Sequence, residues 1–223
     1  VSTTFIRARS AEQKSERRTH LLETARAMLE RGMPLSELGL NELARSAGMA
    51  KANVYRYFES REAILLEVLW SEAGRHWARF EAELDGPGAS PEPDLDALVT
   101  AFAHSFAGND LLCRLTAAVP AVLEFNLSVE AIADFKHRML WFFRTAGERL
   151  GQRCPRLSAD AYAALMFDTV TLVVGLHPTV RMSPNAAAAV TDPALAFFRR
   201  DLADELARHL RALAAAALAG ATR

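Results

Sequence analysis

Residues 47–65 read AGMAKANVYRYFESREAIL. Gly48 permits a tight reversal. On its N-terminal side lies the amphipathic stretch LNELARSAG, with Leu40, Leu43, Ala44 and Ala47 on one side and Asn41, Glu42 and Arg45 on the other. On its C-terminal side a second short helix, AKANVYRYF, carries Val54 and Phe58 as its core residues and leaves Lys51, Asn53, Tyr55, Arg56 and Tyr57 without an obvious buried role. Ser60 and Glu62 then supply an N-cap and a first-turn acid for a long helix reaching about residue 84. Two short helices joined by a turn, with long helices before and after, form a helix-turn-helix: the first braces the second, whose polar face suits a DNA major groove.

Helical spacing extends outward from that unit in both directions, without strand-like alternation. Leu21, Leu22, Ala25, Met28 and Leu29 draw an apolar stripe along a first helix of about residues 10–31, which Gly32 and Pro34 end. DGPGASPEPD, residues 85–94, reads as a linker. Beyond it the pattern predicts helices at about 94–107, 110–123, 128–150, 158–182 and 192–219, with Asn109, Ser128, Ser158 and the Asp192-Pro193 pair placed as caps. The expected fold is all-α with about nine helices. Its N-terminal domain is expected at 1–62, a connecting helix at about 60–84, and a bundle domain at 63–223.

The 51% hydrophobic and 24% charged residues of the 223-residue chain suffice for a sizeable core and exclude general disorder. Net charge is only −1, but residues 1–61 hold 11 basic against 7 acidic residues, leaving 15 against 20 for the rest. A basic head on an acidic body is the distribution expected when the head alone meets phosphate. Cys113 and Cys154 lack any metal-ligand or redox spacing, so no metal or disulfide framework is indicated and a reduced, cytoplasmic compartment fits. The N-terminal residues lack an apolar signal-like run. The most apolar stretch, 161–180, is interrupted by Asp168, Gly175, His177 and Pro178, so a bundle interior is expected there and no membrane association.

HLLETARAMLERG, followed by LNELARSAGMAKANVYRYFESREAIL, resembles the DNA-binding region of the tetracycline-repressor family of bacterial transcription regulators. Leu43-Ala44, Ala47-Gly48-Met49, Val54-Tyr55, Tyr57-Phe58 and Ser60-Arg61-Glu62 fall in register with that family's pattern over about residues 18–66. The resemblance implies a double-stranded DNA operator as partner. Lys51 and Asn53, at the exposed start of the second short helix, are base-reading candidates: lysine suits guanine O6/N7 and asparagine suits adenine N6/N7. Asn41 matches a family position that often contacts DNA. Tyr57 and Arg61 match phosphate contacts, Tyr55 is expected on the groove wall or a phosphate, and Arg45 and Arg56 are further backbone candidates. Arg7, Arg9, Arg17 and Arg18 either extend onto neighbouring phosphates or form a solvated arm. Ala50 replaces the family's usual hydroxyl residue, and Gly39-Leu40 stand where threonine is usual, so weaker N-caps are expected.

For the body, the resemblance implies a regulatory domain that dimerises through its last two helices and often holds a small-molecule effector. Interface candidates on the apolar stripes are Tyr162, Leu165, Thr169, Val173, Phe198, Leu202 and Leu206. Pocket candidates are Phe102, Phe106, Phe125, Trp141, Phe142 and Phe167 as aromatic walls and Glu124, His137, Asp168 and His177 as polar groups on apolar stretches. Three readings compete: a repressor released by a small, largely apolar ligand; a DNA binder whose body serves only dimerisation or a protein partner; and a helical-bundle enzyme. The last lacks its motifs. Asp134-Phe-Lys-His137 is a single near match to the paired Glu-x-x-His of di-iron bundles, and there is no nucleophile elbow, P-loop, dinucleotide fingerprint or zinc helix. No cofactor is expected.

Overall fold

The computed structural model describes residues 2–87, 90 and 93–221, and within them the side chains of residues 13–220. Among the described residues the chain is all-helical. In order come α1 (Ser2–Glu30), α2 (Leu40–Ser46), α3 (Lys51–Val54), α4 (Arg61–Leu84), α5 (Leu95–Ala107), α6 (Asp110–Ala118), α7 (Val129–Arg153), α8 (Ala159–Val180), α9 (Pro184–Ala189) and α10 (Leu202–Ala221). Arg7 and Arg9 fall where side chains are not described, as does the centre of the 85–94 linker.

Both tight reversals of the head use glycine as expected. Gly32 (φ 95°) and Gly48 (φ 64°) take left-handed backbone. Each follows a helix closed by a paired bond set: Gly32 N to Leu29 O (3.1 Å) with Met33 N to Met28 O (3.3 Å), and Gly48 N to Arg45 O (3.2 Å) with Met49 N to Ala44 O (2.9 Å). Neither α2 nor α3 has a side-chain N-cap, because Gly39 and Ala50 have no side-chain oxygen to offer. By contrast, Ser60, Asn109, Ser128 and Ser158 each accept the backbone N–H three residues on, at 3.1–3.2 Å, and so start α4, α6, α7 and α8 where expected.

Two expected helices are interrupted. The segment 110–123 stays α-helical only to Ala118; Pro120 has no N–H to donate, and the chain widens into a π-helical turn, Val119–Leu123, followed by a 3-10 turn, Glu124–Asn126. Similarly, 192–219 divides into a 3-10 turn, Pro193–Phe198, capped by Asp192 (Ala194 N to Oδ1, 2.9 Å), and α10, where Asp201 Oδ1 accepts from Asp204 N (3.0 Å). An additional helix, α9, starts at the Ser183-Pro184 cap and N1 pair.

One buried apolar cluster runs from head to body through α4. Leu21, Ala25, Leu29, Leu38, Leu43, Val54, Phe58, Ile64 and Leu65 close the head, and Leu69 and Phe80 carry the same helix into the body. Glu72, almost fully buried, ties the two parts: it accepts from Arg26 of α1 (2.7 Å), Arg75 (2.7 Å) and Asn109 before α6 (3.3 Å). Arg114 of α6 adds a second tie, donating to the carbonyls of Leu29 (3.1 Å) and Met33 (2.7 Å).

In the body, α7 packs most closely on α8, and α10 on α5 and α8. Gly147 sets the α7–α8 approach: a Cβ there would lie 2.4 Å from Ala159 O and 2.9 Å from Ala163 N. By length and composition α8 could cross a membrane, but it packs against α6, α7 and α10 in the body.

Candidate nucleic-acid interface and body cavity

The turn at Gly48 orients α3 across α2, and His20 Nε2 of α1 braces it against Ala47 O (3.3 Å). Val54 and Phe58 are buried, which turns the rest of the second helix outward. Asn41, Arg45, Lys51, Asn53, Tyr55 and Arg56 are all exposed, and Tyr55 and Arg56 also border a groove against α4 and α7. Regular helix covers only Lys51–Val54; Tyr57 N and Phe58 N both bond Val54 O (2.9 and 3.1 Å), so Tyr55 to Tyr57 form a tighter turn. Lys51 Nζ lies 5.6 Å from the Tyr55 ring centroid, a cation over an aromatic face at the tip of this surface.

The basic candidates divide by what already holds them. Lys51 and Arg56 make no ion pair among the described residues, whereas Arg45 pairs with Glu42. Arg61 is engaged in the protein: Nε and Nη2 donate to Glu62 Oε1 (3.0 and 2.6 Å) and Nη1 to Ser36 O (3.0 Å), so the guanidinium clasps the loop before α2 to the start of α4. Arg18 likewise pairs with Glu67 (3.1 Å) over the Phe58 ring, while Arg17 is exposed. Tyr57 is half-buried against the core.

Inside the body, α4 to α8 and the π-helical turn enclose a cavity of about 330 Å³. Phe102, Phe106, Phe135, Phe142, Phe143 and Phe167 line it. Phe102, Phe106, Glu124, Phe142 and Phe167 of the sequence candidates are therefore on its wall; Phe125, His137, Trp141, Asp168 and His177 are not. The inward stripe of α7 is Phe135, Met139, Phe143, Ala146 and Leu150, which puts His137 and Trp141, four residues apart, on the opposite, exposed face. Phe125 is 79% exposed beyond the π-helical turn. Asp168 is half-buried off the cavity, and His177 faces Asp110 (3.8 Å) at the α6 end, its proton affinity lowered first by burial and then by Arg114.

Two polar residues of the cavity wall are buried, His76 and Thr116, and neither was among the sequence candidates. His76, 4% exposed, sits edge-on to Phe102 and Phe106 and meets Ser105 Oγ at 3.0 Å. Burial, helped by repulsion from Arg79 and opposed by Glu72, pushes its pKa down to about 4, so the imidazole is neutral near pH 7. A signal existed: Leu65, Leu69, Glu72, His76 and Phe80 recur at spacings of three and four, placing both polar residues on α4's apolar stripe. Trp70, Lys136 and Thr171 add further polar atoms to the lining and were also missed. Cys113 is buried, donates to Phe106 O (3.4 Å), and has its pKa pushed up to about 12 by burial, which makes it an unreactive structural thiol. No group of acidic, histidine or cysteine residues suited to a metal occurs among the described residues.

The interface candidates also need correction. Tyr162, Leu165, Thr169, Val173 and Leu206 are enclosed within one chain, where the stripes of α8 and α10 pack on each other and on α5 and α7. Tyr162, for instance, donates to Cys154 O at 2.7 Å. Phe198 lies exposed on the 3-10 turn and Leu202 is half-buried. Exposed on these helices instead are Ala164, Phe167 and Gly175 on α8 and Ala212, Leu213, Ala215 and Ala216 on α10.

Residues 21–68 match the family model of bacterial regulatory proteins of the tetR type, and residues 71–221 match that of the tetracyclin repressor-like C-terminal domain. The chain belongs to the tetracycline-repressor-like family. Within it, the chain is similar to an HTH-type transcriptional regulator of Mycobacterium tuberculosis, 36% identical over 75 residues, which is 34% of this chain and 35% of that one. It is also similar to the HTH-type transcriptional regulator EthR of Mycolicibacterium smegmatis, 29% identical over 112 residues, or 50% and 51% of the two chains. The matched stretches therefore span about a third to a half of these relatives. Among solved structures, the fatty acid degradation regulator FadR from Bacillus halodurans aligns with TM-score 0.47 and 17% identity over 89% of this chain and 94% of that one. Membership of a family of regulators also removes the enzyme reading.

Proposed function

We propose that the chain is a homodimeric transcriptional repressor, acting in the cytoplasm, that binds a palindromic operator and is released by a small, largely apolar ligand. Residues 1–62 form the DNA-binding head and residues 63–223 the ligand-binding and dimerisation body. Asn41, Lys51 and Asn53 read bases, and Arg45, Tyr55, Arg56, Tyr57 and Arg61 contact the backbone or groove wall. Arg61 reaches a phosphate only by exchanging its hold on Glu62 or Ser36, so its contribution depends on how α4 meets the head.

One observation carries the ligand-release reading over a body that only dimerises. The single segment Val119–Asn126 lines the cavity with Val119, Pro120 and Glu124 and, at its far end, donates from Asn126 Nδ2 to Glu62 Oε1 (3.5 Å), the carboxylate that also holds Arg61. An occupant with different affinity for two placements of that segment shifts the head between two placements as well. The cavity's volume falls in the range of small-molecule sites, about 300–1,000 Å³.

Dimerisation is assigned to the outer faces of α8 and α10, where alanines and Gly175 allow close approach and Phe167 and Leu213 offer apolar surface. Sedimentation of the full chain is expected to give a dimer, and Ala164→Arg a folded monomer by circular dichroism that loses operator affinity. A wild-type monomer at micromolar concentration, or an Ala164→Arg dimer, overturns this assignment.

A further inference from the structure

Two charged side chains, Glu124 and Lys136, line the cavity among the described residues, and they pair with each other. The pair is lopsided. Lys136 is the outer member, its side chain 48% exposed, while Glu124 is 24% exposed with Oε1 buried, facing the ammonium without a well-formed hydrogen bond. A second donor in the same wall, Trp70 Nε1, is buried with no partner at all. Phe135 links the two donors: its ring lies edge-on to Trp70 (5.7 Å between centroids) with Lys136 Nζ 5.6 Å from its own centroid. Away from this corner the wall is mostly phenylalanine, leucine, valine and methionine, with Thr116, Thr171 bonded to Phe167 O, and His76 bonded to Ser105 as its polar members.

Resting on the reading of this cavity as the effector site, we propose that it takes a monocarboxylate with an apolar body, the ligand's carboxylate replacing Glu124 on Lys136. The corner holds two donor groups, the Lys136 ammonium and the unpartnered Trp70 N–H, against a single carboxylate, so an anionic or acceptor-bearing head gains partners there. An ammonium head meets Lys136 first, the exposed member of the pair, and leaves the Trp70 N–H unpaired. The apolar body lies among Phe102, Phe106, Phe142 and Phe143, where burial supplies affinity without regard to the head. Glu124, once displaced, is two residues from Asn126, so exchange of counter-ions at Lys136 pulls on the same segment that touches Glu62.

Titration calorimetry of the full chain with octanoate, octanol and octylamine tests this. Octanoate is expected to bind about tenfold or more tightly than octanol, the increment of one charge-assisted hydrogen bond, and octylamine more weakly than either. Lys136→Met is expected to bring octanoate down to the affinity of octanol while leaving octanol unchanged, and Glu124→Gln, which removes the competing carboxylate, to tighten octanoate. Octanol or octylamine binding as well as octanoate, or an octanoate advantage that survives Lys136→Met, overturns the carboxylate assignment and leaves the cavity as an effector site. Failure of all three probes to bind overturns both.

Discussion

Replacing Gly147 by alanine tests whether backbone proximity sets the α7–α8 contact. The added Cβ meets Ala159 O at 2.4 Å and Ala163 N at 2.9 Å, and both are backbone atoms of α8 that cannot rotate aside. The two helices must separate by roughly an ångström, an overpacking that costs about 1–3 kcal/mol. Alanine is the better helix former by about 1 kcal/mol, which offsets part of that cost. Because the clash is with backbone on two sides, the upper part of the range applies, and a net loss of about 1–2 kcal/mol is expected. Gly74→Ala supplies the opposite sign. That glycine also lies inside a long helix, but its Cβ meets nothing within 4 Å, so only the propensity gain of about 1 kcal/mol remains. Urea unfolding followed by circular dichroism should separate the two variants by about 2–3 kcal/mol, with wild type between them. Equal stability for the two, or a Gly147→Ala chain more stable than wild type, refutes the close-contact argument.

Other outcomes follow from the sites. His76 has a folded pKa of about 4 against an ordinary 6.5, so the unfolded chain takes up the proton first as pH falls. Its contribution is complete above about pH 6.5 and drains away by about pH 4, a loss of about 3 kcal/mol; His76→Gln should flatten that part of the wild-type stability profile, and identical profiles would contradict the assignment. Lys51→Ala should relax preference at one position of each half-site by about 1–3 kcal/mol, whereas Arg56→Ala should weaken binding to all sequences and lower the salt slope by about one for each phosphate no longer neutralised, both read by fluorescence anisotropy at several salt concentrations. Cys113 should resist a thiol reagent in the native chain and react only on unfolding, with stopped-flow absorbance as the check.

The head was largely legible in the sequence because its signals are local. Gly32 and Gly48 mark left-handed turns, Ser60 caps α4, and Val54 and Phe58 alternate with exposed polar residues, all within about fifty residues of one another. What the sequence concealed was tertiary. Arg61 reads as a free cation until the fold brings Ser36 O within hydrogen-bond distance and turns the guanidinium onto the neighbouring Glu62 carboxylate. In the body, an apolar stripe records that a face is covered without naming the cover: Tyr162, Val173 and Leu206 meet their own chain, where an outside partner was expected. His137 and Trp141 read as pocket residues because of their chemistry, yet their register on α7 opposes Phe135 and Phe143. His76 and Glu72 show the converse, polar residues in register with α4's buried stripe, and register was the better guide.

Whether the head reads a two-fold operator can be decided by selecting purified wild-type chain against a random-sequence duplex library. The expected product is an inverted repeat whose half-site centres lie about one helical turn of DNA apart, roughly 34 Å, or a multiple of that spacing, with Lys51→Ala degrading the enriched pattern at a symmetric pair of positions. Recovery of no common sequence, or of a single asymmetric half-site bound equally well by the Lys51→Ala chain, contradicts it.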